Sequence, residues 1–187
     1  MSNKRLALLF IILISFGCST FQKTNDVRPP AVEDVLFPDG KYMQNADAQI
    51  KTPDGAKNFD FKAIIKKSNS EISFYGYSDF GLTLFKIHQL DGNPVELESS
   101  VSEINKNKDF FIQIFKLVKQ IFYLQLSDPN YKNHKITFKL AQGDAAVEFL
   151  DFDQNKIPKK IFVQTANQSQ ITITTKEYTF MTGTDRH

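Results

Sequence analysis

The sequence contains no tryptophan, one cysteine and three histidines. A single cysteine cannot form a disulfide bond within the chain, and it leaves a cysteine-based zinc site without its other ligands. His88, His134 and His187 lie at none of the sequence spacings typical of metal sites. The G-x-S-x-G, P-loop and G-x-G-x-x-G motifs are also missing. We therefore predict no enzymatic activity, no cofactor and no metal site.

One acidic segment begins like a calcium-binding loop. Asp151, Asp153 and Asn155 have the alternate spacing of the first ligands in such a loop. The pattern then fails, because Lys156 stands where glycine is required and Phe162 where the bidentate glutamate belongs. We predict instead the end of a hairpin, in which Asp and Asn side chains bond to the backbone.

The N-terminus has the pattern of a bacterial lipoprotein signal peptide. Lys4 and Arg5 precede the uncharged run Leu6–Ile14, which is shorter than the roughly 20 apolar residues of a transmembrane helix. The sequence Ser-Phe-Gly then leads to Cys18 and resembles a lipobox. We predict that residues 1–17 are removed and that Cys18 carries acyl chains such as palmitate, which anchor the protein to a membrane. An uncleaved N-terminal anchor with an incidental cysteine is the alternative.

The residues after Cys18 predict where the protein resides. Ser19 follows the cysteine, and by resemblance to the enterobacterial sorting rule a serine there favours the outer membrane, with the domain facing the periplasm. Residues 18–35 are mostly polar and include Pro29-Pro30, a composition typical of a flexible tether. We predict one domain over residues 36–180 and a short tail over residues 181–187.

The charge of the mature chain excludes one class of partner. The whole sequence has 23 Lys and Arg against 21 Asp and Glu. Removal of residues 1–17 takes away Lys4 and Arg5 and no acidic residue, so that the remaining charges balance. We therefore predict no nucleic-acid partner. The pairs Lys66-Lys67 and Lys159-Lys160 are predicted to be solvated strand ends.

Most of the domain has the period-two alternation of strands with one apolar face. Apolar residues alternate with other residues in these sets: Phe59, Phe61, Ala63 and Ile65; Ile72, Phe74 and Gly76; Val95 and Leu97; Ile136, Phe138 and Leu140; Val147 and Phe149; Ile161 and Val163; Ile171 and Ile173. Turn residues separate the sets, at Pro38-Asp39-Gly40, Pro53-Asp54-Gly55, Asp91-Gly92-Asn93-Pro94 and Gly143-Asp144. Short turns between successive strands predict an antiparallel meander.

One segment, Asp109–Leu126, predicts a helix that is apolar on most of its surface. It has no glycine or proline, and its polar residues Asp109, Gln113, Lys116 and Gln120 form one narrow stripe. A helix of this kind must be covered on several sides, as it would be inside a curved sheet. The predicted fold class is α+β, mainly β: a curved antiparallel sheet or incomplete β-barrel with an apolar helix packed in its mouth. An ordinary core helix with no ligand is the alternative.

This arrangement resembles the LolA/LolB family of lipoprotein-localisation proteins, or a related family of proteobacterial lipoproteins. The segment Tyr75-Gly-Tyr-Ser-Asp-Phe-Gly-Leu-Thr-Leu84 resembles the LolB stretch in which a loop between two strands projects an apolar residue before a glycine. The chain departs from that pattern by having Phe80 where leucine is typical. The resemblance implies that Phe80 and Gly81 contact the membrane or a partner, and that a periplasmic carrier protein delivers cargo. The alternative is that Phe80 simply covers the core.

Three functions remain open at this stage. The first is a carrier or acceptor for acyl chains or lipoprotein anchors, for which the 18 phenylalanines would supply an apolar lining. We expect that lining to include Phe74, Leu84, Ile114, Phe115, Val118, Ile121 and Phe122. The second is a structural envelope lipoprotein that binds another envelope protein and has no ligand cavity. The third is an enzyme acting on envelope lipids or glycans, for which the sequence offers no set of polar residues.

Overall fold

The computed structural model describes residues 34–52, 55–140 and 143–181. Within them the chain forms nine strands and two helices. The strands are β1 (Gly40–Thr52), β2 (Gly55–Lys67), β3 (Glu71–Tyr77), β4 (Thr83–Leu90), β5 (Glu96–Glu98), β6 (Lys135–Leu140), β7 (Gly143–Phe152), β8 (Pro158–Thr165) and β9 (Gln170–Phe180). The helices are α1 (Ser102–Lys106) and α2 (Lys108–Phe122). The signal peptide and Cys18 lie outside the described residues.

All nine strands belong to one antiparallel sheet with the order β5-β4-β3-β2-β1-β9-β8-β7-β6. Successive strands pair with each other, and β1 also pairs with β9, so that the two ends of the domain meet in the middle of the sheet. β5 and β6 are the two edges, and the sheet is not closed. The predicted antiparallel meander and the mainly β fold class are confirmed.

The sheet curves around α2, which lies in the connection between the two edge strands. Phe74 on β3 and Val163 on β8 line the same small space beside the helix. Because neighbouring strands lie about 4.8 Å apart, a flat sheet would separate β3 from β8 by about 19 Å. A helix with its side chains is only about 10–12 Å across. The sheet must therefore be concave on the side that faces α2.

The apolar residues that alternate along each strand lie on the concave face of the sheet. The β7 residues Ala145, Val147 and Phe149 are buried, and the intervening Ala146 is exposed. Ile136, Ile161, Val163, Ile171 and Ile173 are buried on the neighbouring strands. The period-two prediction is therefore confirmed for these strands, and the pleat explains it, because alternate side chains point to opposite faces.

The helix is shorter than the sequence predicted, and the difference has a local cause. α2 ends at Phe122, whereas the apolar pattern continued to Leu126. The backbone of Leu36 donates a hydrogen bond to the carbonyl of Leu124 (3.0 Å), and that of Leu126 donates to the carbonyl of Asp34 (2.7 Å). These residues therefore pair with the segment before β1 and do not continue the helix. Among the described residues, neither helix combines the length and apolarity needed to cross a membrane.

The acidic segment is a hairpin end, as predicted. Asp153 lies between β7 and β8, and its Oδ1 atom accepts hydrogen bonds from the backbone of Asn155 (2.9 Å) and Ile157 (3.0 Å). Its other carboxylate oxygen accepts a hydrogen bond from the Tyr178 hydroxyl (2.6 Å). The carboxylate is thus used in turn bonds of the Asx type.

Candidate functional site

A cavity of about 40 Å³ lies between α2 and the concave face of the sheet. Fourteen residues line it: Gln44, Ala46, Ala48, Phe61, Ala63, Ile65, Phe74, Ile114, Leu117, Val118, Ile121, Val163, Ile171 and Ile173. They come from the helix and from five adjacent strands, β3, β2, β1, β9 and β8. The site is therefore at the centre of the sheet, where the two halves of the meander join.

Small residues on β1 and β2 leave the space open. Ala46 and Ala48 alternate along β1, and Ala63 faces the same side from β2. All three are buried, with at most 8% of each residue exposed. Alanine reaches only a short distance from the strand, so the sheet and the helix cannot close the gap between them. Larger side chains at these positions would fill it.

The helix contributes one face to the cavity. Ile114, Val118 and Ile121 have the spacing i, i+4 and i+7, which places them on one side of a helix. Phe115 and Phe122, which we expected in the lining, lie outside it, in the packed core. The Phe122 ring stacks on Phe37 with centroids 4.3 Å apart.

The predicted binding residues thus divide into two groups. Phe74, Ile114, Val118 and Ile121 line the cavity together. Leu84, Phe115 and Phe122 do not line the cavity. Leu84 is partly buried against the core, and the two phenylalanines are fully buried in it.

Gln44 is the polar exception in the lining, and the sequence analysis missed it. Its side chain is buried and donates a hydrogen bond of 3.3 Å to the Thr175 hydroxyl, which donates in turn to the carbonyl of Pro158 (3.1 Å). The signal in the sequence was the alternation of Tyr42, Gln44, Ala46 and Ala48, which puts all four residues on one face of β1. Gln44 therefore lines the cavity, while its amide nitrogen is bonded to Thr175 on β9.

The cavity is small and apolar. A buried water molecule needs roughly 10–15 Å³ and two to four polar partners, and an apolar cavity of this kind stays dry. Pockets that hold small-molecule ligands typically measure about 300–1,000 Å³. The described conformation therefore has an apolar space beside the helix but no room for a whole acyl chain.

The hairpin between β3 and β4 exposes two large apolar side chains. Phe80 is 91% exposed and Leu82 is 68% exposed. The turn is held by hydrogen bonds from the Gly81 backbone to the Ser78 carbonyl (3.0 Å) and from the Leu82 backbone to the Ser78 hydroxyl (3.2 Å). Gly81 has a φ of 77°, which favours glycine. The loop is thus a defined turn that presents Phe80 to solvent.

The outer face of the sheet carries a cluster that sequence spacing did not indicate. The pairing of β4 with β5 places His88 opposite Glu96, and Glu98 lies two residues further along β5. One candidate ligand atom from each of the three residues lies within 4.8 Å of the other two. Only the register of the sheet brings these residues together, because seven residues lie between His88 and Glu96 in the sequence.

No family model and no curated protein matches the sequence. Solved structures resemble the fold weakly. One is a LolA superfamily protein from Nitrosomonas europaea, with 10% identity, a TM-score of 0.45 and coverage of 80% of this chain and 90% of the other. Another is a domain described as an outer membrane lipoprotein-sorting protein from Vibrio parahaemolyticus, with 7% identity, a TM-score of 0.40 and coverage of 77% and 86%.

Likenesses at these identities and TM-scores concern the fold and carry no conclusion about function. The structural neighbours of this chain include proteins of the LolA superfamily.

Proposed function

We propose that this protein is an outer-membrane lipoprotein whose domain binds acyl chains between α2 and the concave face of the sheet. The observation that carries the proposal is the apolar cavity, which a helix covers at the centre of the sheet. Transfer of acyl chains into such a lining is favourable, because each buried CH₂ group contributes roughly 0.8 kcal/mol. The cargo is a lipid or the anchor of another lipoprotein, and the protein is not an enzyme.

Binding requires the cavity to widen, and the burial of α2 indicates which end would move. The first half of the helix is only partly buried, including Phe110, Phe111 and Ile114. The second half is buried, and the Tyr123 hydroxyl at its end donates a hydrogen bond of 2.7 Å to the Ser68 carbonyl. Displacement of the first half would open the cavity to solvent while the second half stays attached.

The exposed hairpin supplies the contact with the membrane or a partner. Phe80 and Leu82 would enter the interface, and Gly81 would permit the turn that presents them. An acylated Cys18 would hold the protein to the membrane, with residues 18–35 as tether and the domain facing the periplasm. A periplasmic carrier protein would then deliver the cargo at the hairpin.

Native mass spectrometry tests the proposal directly. The chain that begins at Ser19 would be purified from bacteria without detergent and measured under gentle conditions. We expect an additional mass that dissociates as a phospholipid, a fatty acid or an acylated peptide, which identifies the class of cargo. An apo mass that persists after incubation with phospholipid vesicles would contradict the carrier function.

A cavity-filling variant adds a structural control. Ala46→Leu would occupy the space beside α2 and abolish the additional mass, while over-packing changes the free energy of unfolding by no more than about 1–3 kcal/mol. Ala146→Leu makes the same chemical change at an exposed position of β7 and should leave lipid binding intact. Retention of lipid by Ala46→Leu at full occupancy would place the binding site elsewhere.

The small size of the cavity favours a second candidate function. A structural envelope lipoprotein needs only a closed core, and a dry space of about 40 Å³ is compatible with one. This function predicts the apo mass in the experiment above. It also predicts that Ala46→Leu changes nothing except stability.

A further inference from the structure

The outer face of the sheet holds a second group of residues with its own chemistry. His88 on β4 lies between two glutamates of the edge strand β5, on the face opposite the cavity. Its Nε2 atom lies 3.2 Å from a carboxylate oxygen of Glu96, and its Nδ1 atom lies 4.0 Å from one of Glu98. The imidazole therefore has a carboxylate on each side.

One of the two ring nitrogens is left without a hydrogen bond. With the proton on Nε2, the ring donates to Glu96 at 3.2 Å. The Nδ1 atom then carries a lone pair. This atom is buried and has no hydrogen-bond partner among the described residues. Ser73 pairs with His88 across the sheet, but its hydroxyl already donates a hydrogen bond to Glu71 (2.8 Å). A buried nitrogen without a partner is unfavourable, and a facing carboxylate repels its lone pair.

The gap between His88 Nδ1 and Glu98 is slightly wider than the distance between two ligand atoms of a zinc ion. Zinc bonds measure about 2.0–2.1 Å to imidazole nitrogen and about 2.0–2.2 Å to carboxylate oxygen. At the tetrahedral angle that zinc prefers, the two ligand atoms would lie about 3.4 Å apart, so a small rotation of the exposed glutamate would have to shorten the 4.0 Å between His88 Nδ1 and Glu98. A cation there would satisfy the nitrogen and remove the repulsion. One ligand atom from each of the three residues lies within 4.8 Å of the other two, so Glu96 would become a third ligand by rotating away from Nε2 towards the ion.

We propose that His88, Glu96 and Glu98 form a surface site for a divalent transition metal such as Zn²⁺. One imidazole nitrogen with two carboxylates suits zinc and its neighbours in the first transition row, whereas calcium prefers six to eight oxygen ligands. The two glutamates are 64% and 62% exposed, so their side chains can rotate towards an ion and water can complete its coordination. The site is independent of lipid binding.

Lys86 competes with the ion. Its ammonium group lies 3.5 Å from the Glu98 carboxylate, opposite it across the two strands. An exposed ion pair of this kind is weak, so a divalent cation can displace it. Removal of the lysine charge should therefore strengthen metal binding, which is a change in the direction opposite to that expected from removal of a ligand.

Isothermal titration with Zn²⁺ tests the site on the full chain, purified in detergent without a histidine tag. The parent carries Cys18→Ser, because the single thiol would otherwise bind zinc. We expect one bound ion, and no competition from an equal concentration of Ca²⁺. His88→Ala and Glu98→Gln should each weaken binding at least about tenfold, since loss even of groups that only orient ligands costs about 10–100-fold. Lys86→Gln should strengthen it.

The control is His134→Ala, which removes an exposed histidine directly before β6, at the opposite edge of the sheet from β5, and should leave zinc affinity unchanged. Circular dichroism confirms that each variant is folded. The proposal is overturned if the parent does not bind zinc, or if His88→Ala and Glu98→Gln both bind it like the parent. It is also overturned if His134→Ala causes the loss.

Discussion

The ammonium group of Lys67 lies 2.6 Å from a carboxylate oxygen of Asp39, and only 4% and 16% of the two side chains are exposed. The pair joins the residue before β1 to the last residue of β2. The same ammonium group lies 4.8 Å from the centre of the Tyr123 ring, directly after α2. This buried contact therefore connects the C-terminal end of α2 to the sheet where β1 begins and β2 ends. The sequence analysis wrongly placed Lys67 among the solvated strand ends, although Lys66, Lys159 and Lys160 are exposed as predicted.

Replacement of Lys67 tests how much this contact stabilises the fold. Lys67→Met should lower the free energy of unfolding by about 3–5 kcal/mol, because it leaves the Asp39 carboxylate in a buried position without its partner. Urea denaturation followed by circular dichroism measures the change. Lys62→Met is the matched control, since the Lys62–Asp79 pair is 53% and 87% exposed and should contribute at most about 1 kcal/mol. Equal effects of the two variants would show that burial does not strengthen the Lys67 pair.

The Tyr123 hydroxyl makes the same region sensitive to alkali. Burial, and to a lesser extent the negative charges of Asp39, Asp91 and Glu71, together raise the pKa of Tyr123 from 10.0 to about 12. Between those pH values the unfolded chain loses this proton and the folded chain keeps it. The contribution to stability is therefore complete below pH 10 and is lost as the pH rises towards about 12.

Tyr123→Phe isolates this contribution. At neutral pH the variant should be less stable than the parent by about 1 kcal/mol, because the hydrogen bond to the Ser68 carbonyl is gone. The difference between the two proteins should narrow as the pH rises above 10, because only the parent has the Tyr123 hydroxyl to titrate. Urea denaturation at a series of alkaline pH values measures it. A constant difference across the series would contradict the raised pKa.

Gly76 lies opposite Phe85 in the pairing of β3 with β4, and the ring covers the glycine. A Cβ atom on Gly76 would lie 2.3 Å from the Phe85 ring. The ring cannot move away easily, since it is buried and packs edge-on against Phe74 with centroids 5.3 Å apart. Gly76→Ala should therefore cost about 1–3 kcal/mol in the free energy of unfolding.

The double variant Gly76→Ala with Phe85→Leu separates this clash from a general effect on the strand. If the Phe85 ring causes the loss of stability, Gly76→Ala should lower the free energy of unfolding less in the Phe85→Leu background. The effects of the two substitutions on that free energy will then not be additive. Additive costs would mean that the alanine acts through the backbone alone.

The sequence predicted the type of each element better than the contacts between elements. Alternation identified strands such as β7, because one face of each is buried whichever strand lies beside it. The pairing of β1 with β9 and of β4 with β5 depends on contacts distant in the sequence, and no local pattern contains them. Gln44 and Lys67 were missed for the same reason, since a polar residue is buried only where the fold supplies its partner.

For α2, the sequence predicted that the helix is covered by the sheet but not which of its residues line the cavity. Its wide apolar surface predicted that a curved sheet would cover it, and the residues buried in α2 agree with that. The pattern could not separate the cavity-lining Val118 from the core residue Phe115, because both are apolar and both are buried. Which of them faces a space depends on the alanines opposite, at positions on β1 and β2.

We expect membrane binding to depend on the exposed hairpin before β4 and not on the opposite end of that strand. The test uses the unlipidated chain that begins at Ser19 and its binding to phospholipid vesicles. Phe80→Glu should reduce this binding, and the double variant Phe80→Glu with Leu82→Glu should reduce it further, because both side chains are exposed beside β4. Leu90→Glu is the control at the opposite end of β4, where Leu90 is 46% exposed. Vesicle flotation measures binding. Equal binding by all variants would exclude the hairpin as the membrane contact, without excluding lipid binding in the cavity.

Enlargement of the cavity tests whether it can accept apolar ligands. Ile121 lines the cavity and is only 1% exposed, so Ile121→Ala should lower the free energy of unfolding by about 2–5 kcal/mol. An apolar compound that enters the new space should restore part of this loss, as ligands do when they bind only the folded state.

Thermal unfolding with and without dodecanoic acid measures that recovery in Ile121→Ala. Ile161→Ala is the matched control, because Ile161 is fully buried on β8 and does not line the cavity. If the ligand raises the melting temperature of Ile121→Ala but not that of Ile161→Ala, the space beside α2 accepts an acyl chain when it is large enough. Equal shifts in both variants would show that dodecanoic acid stabilises the protein from another site.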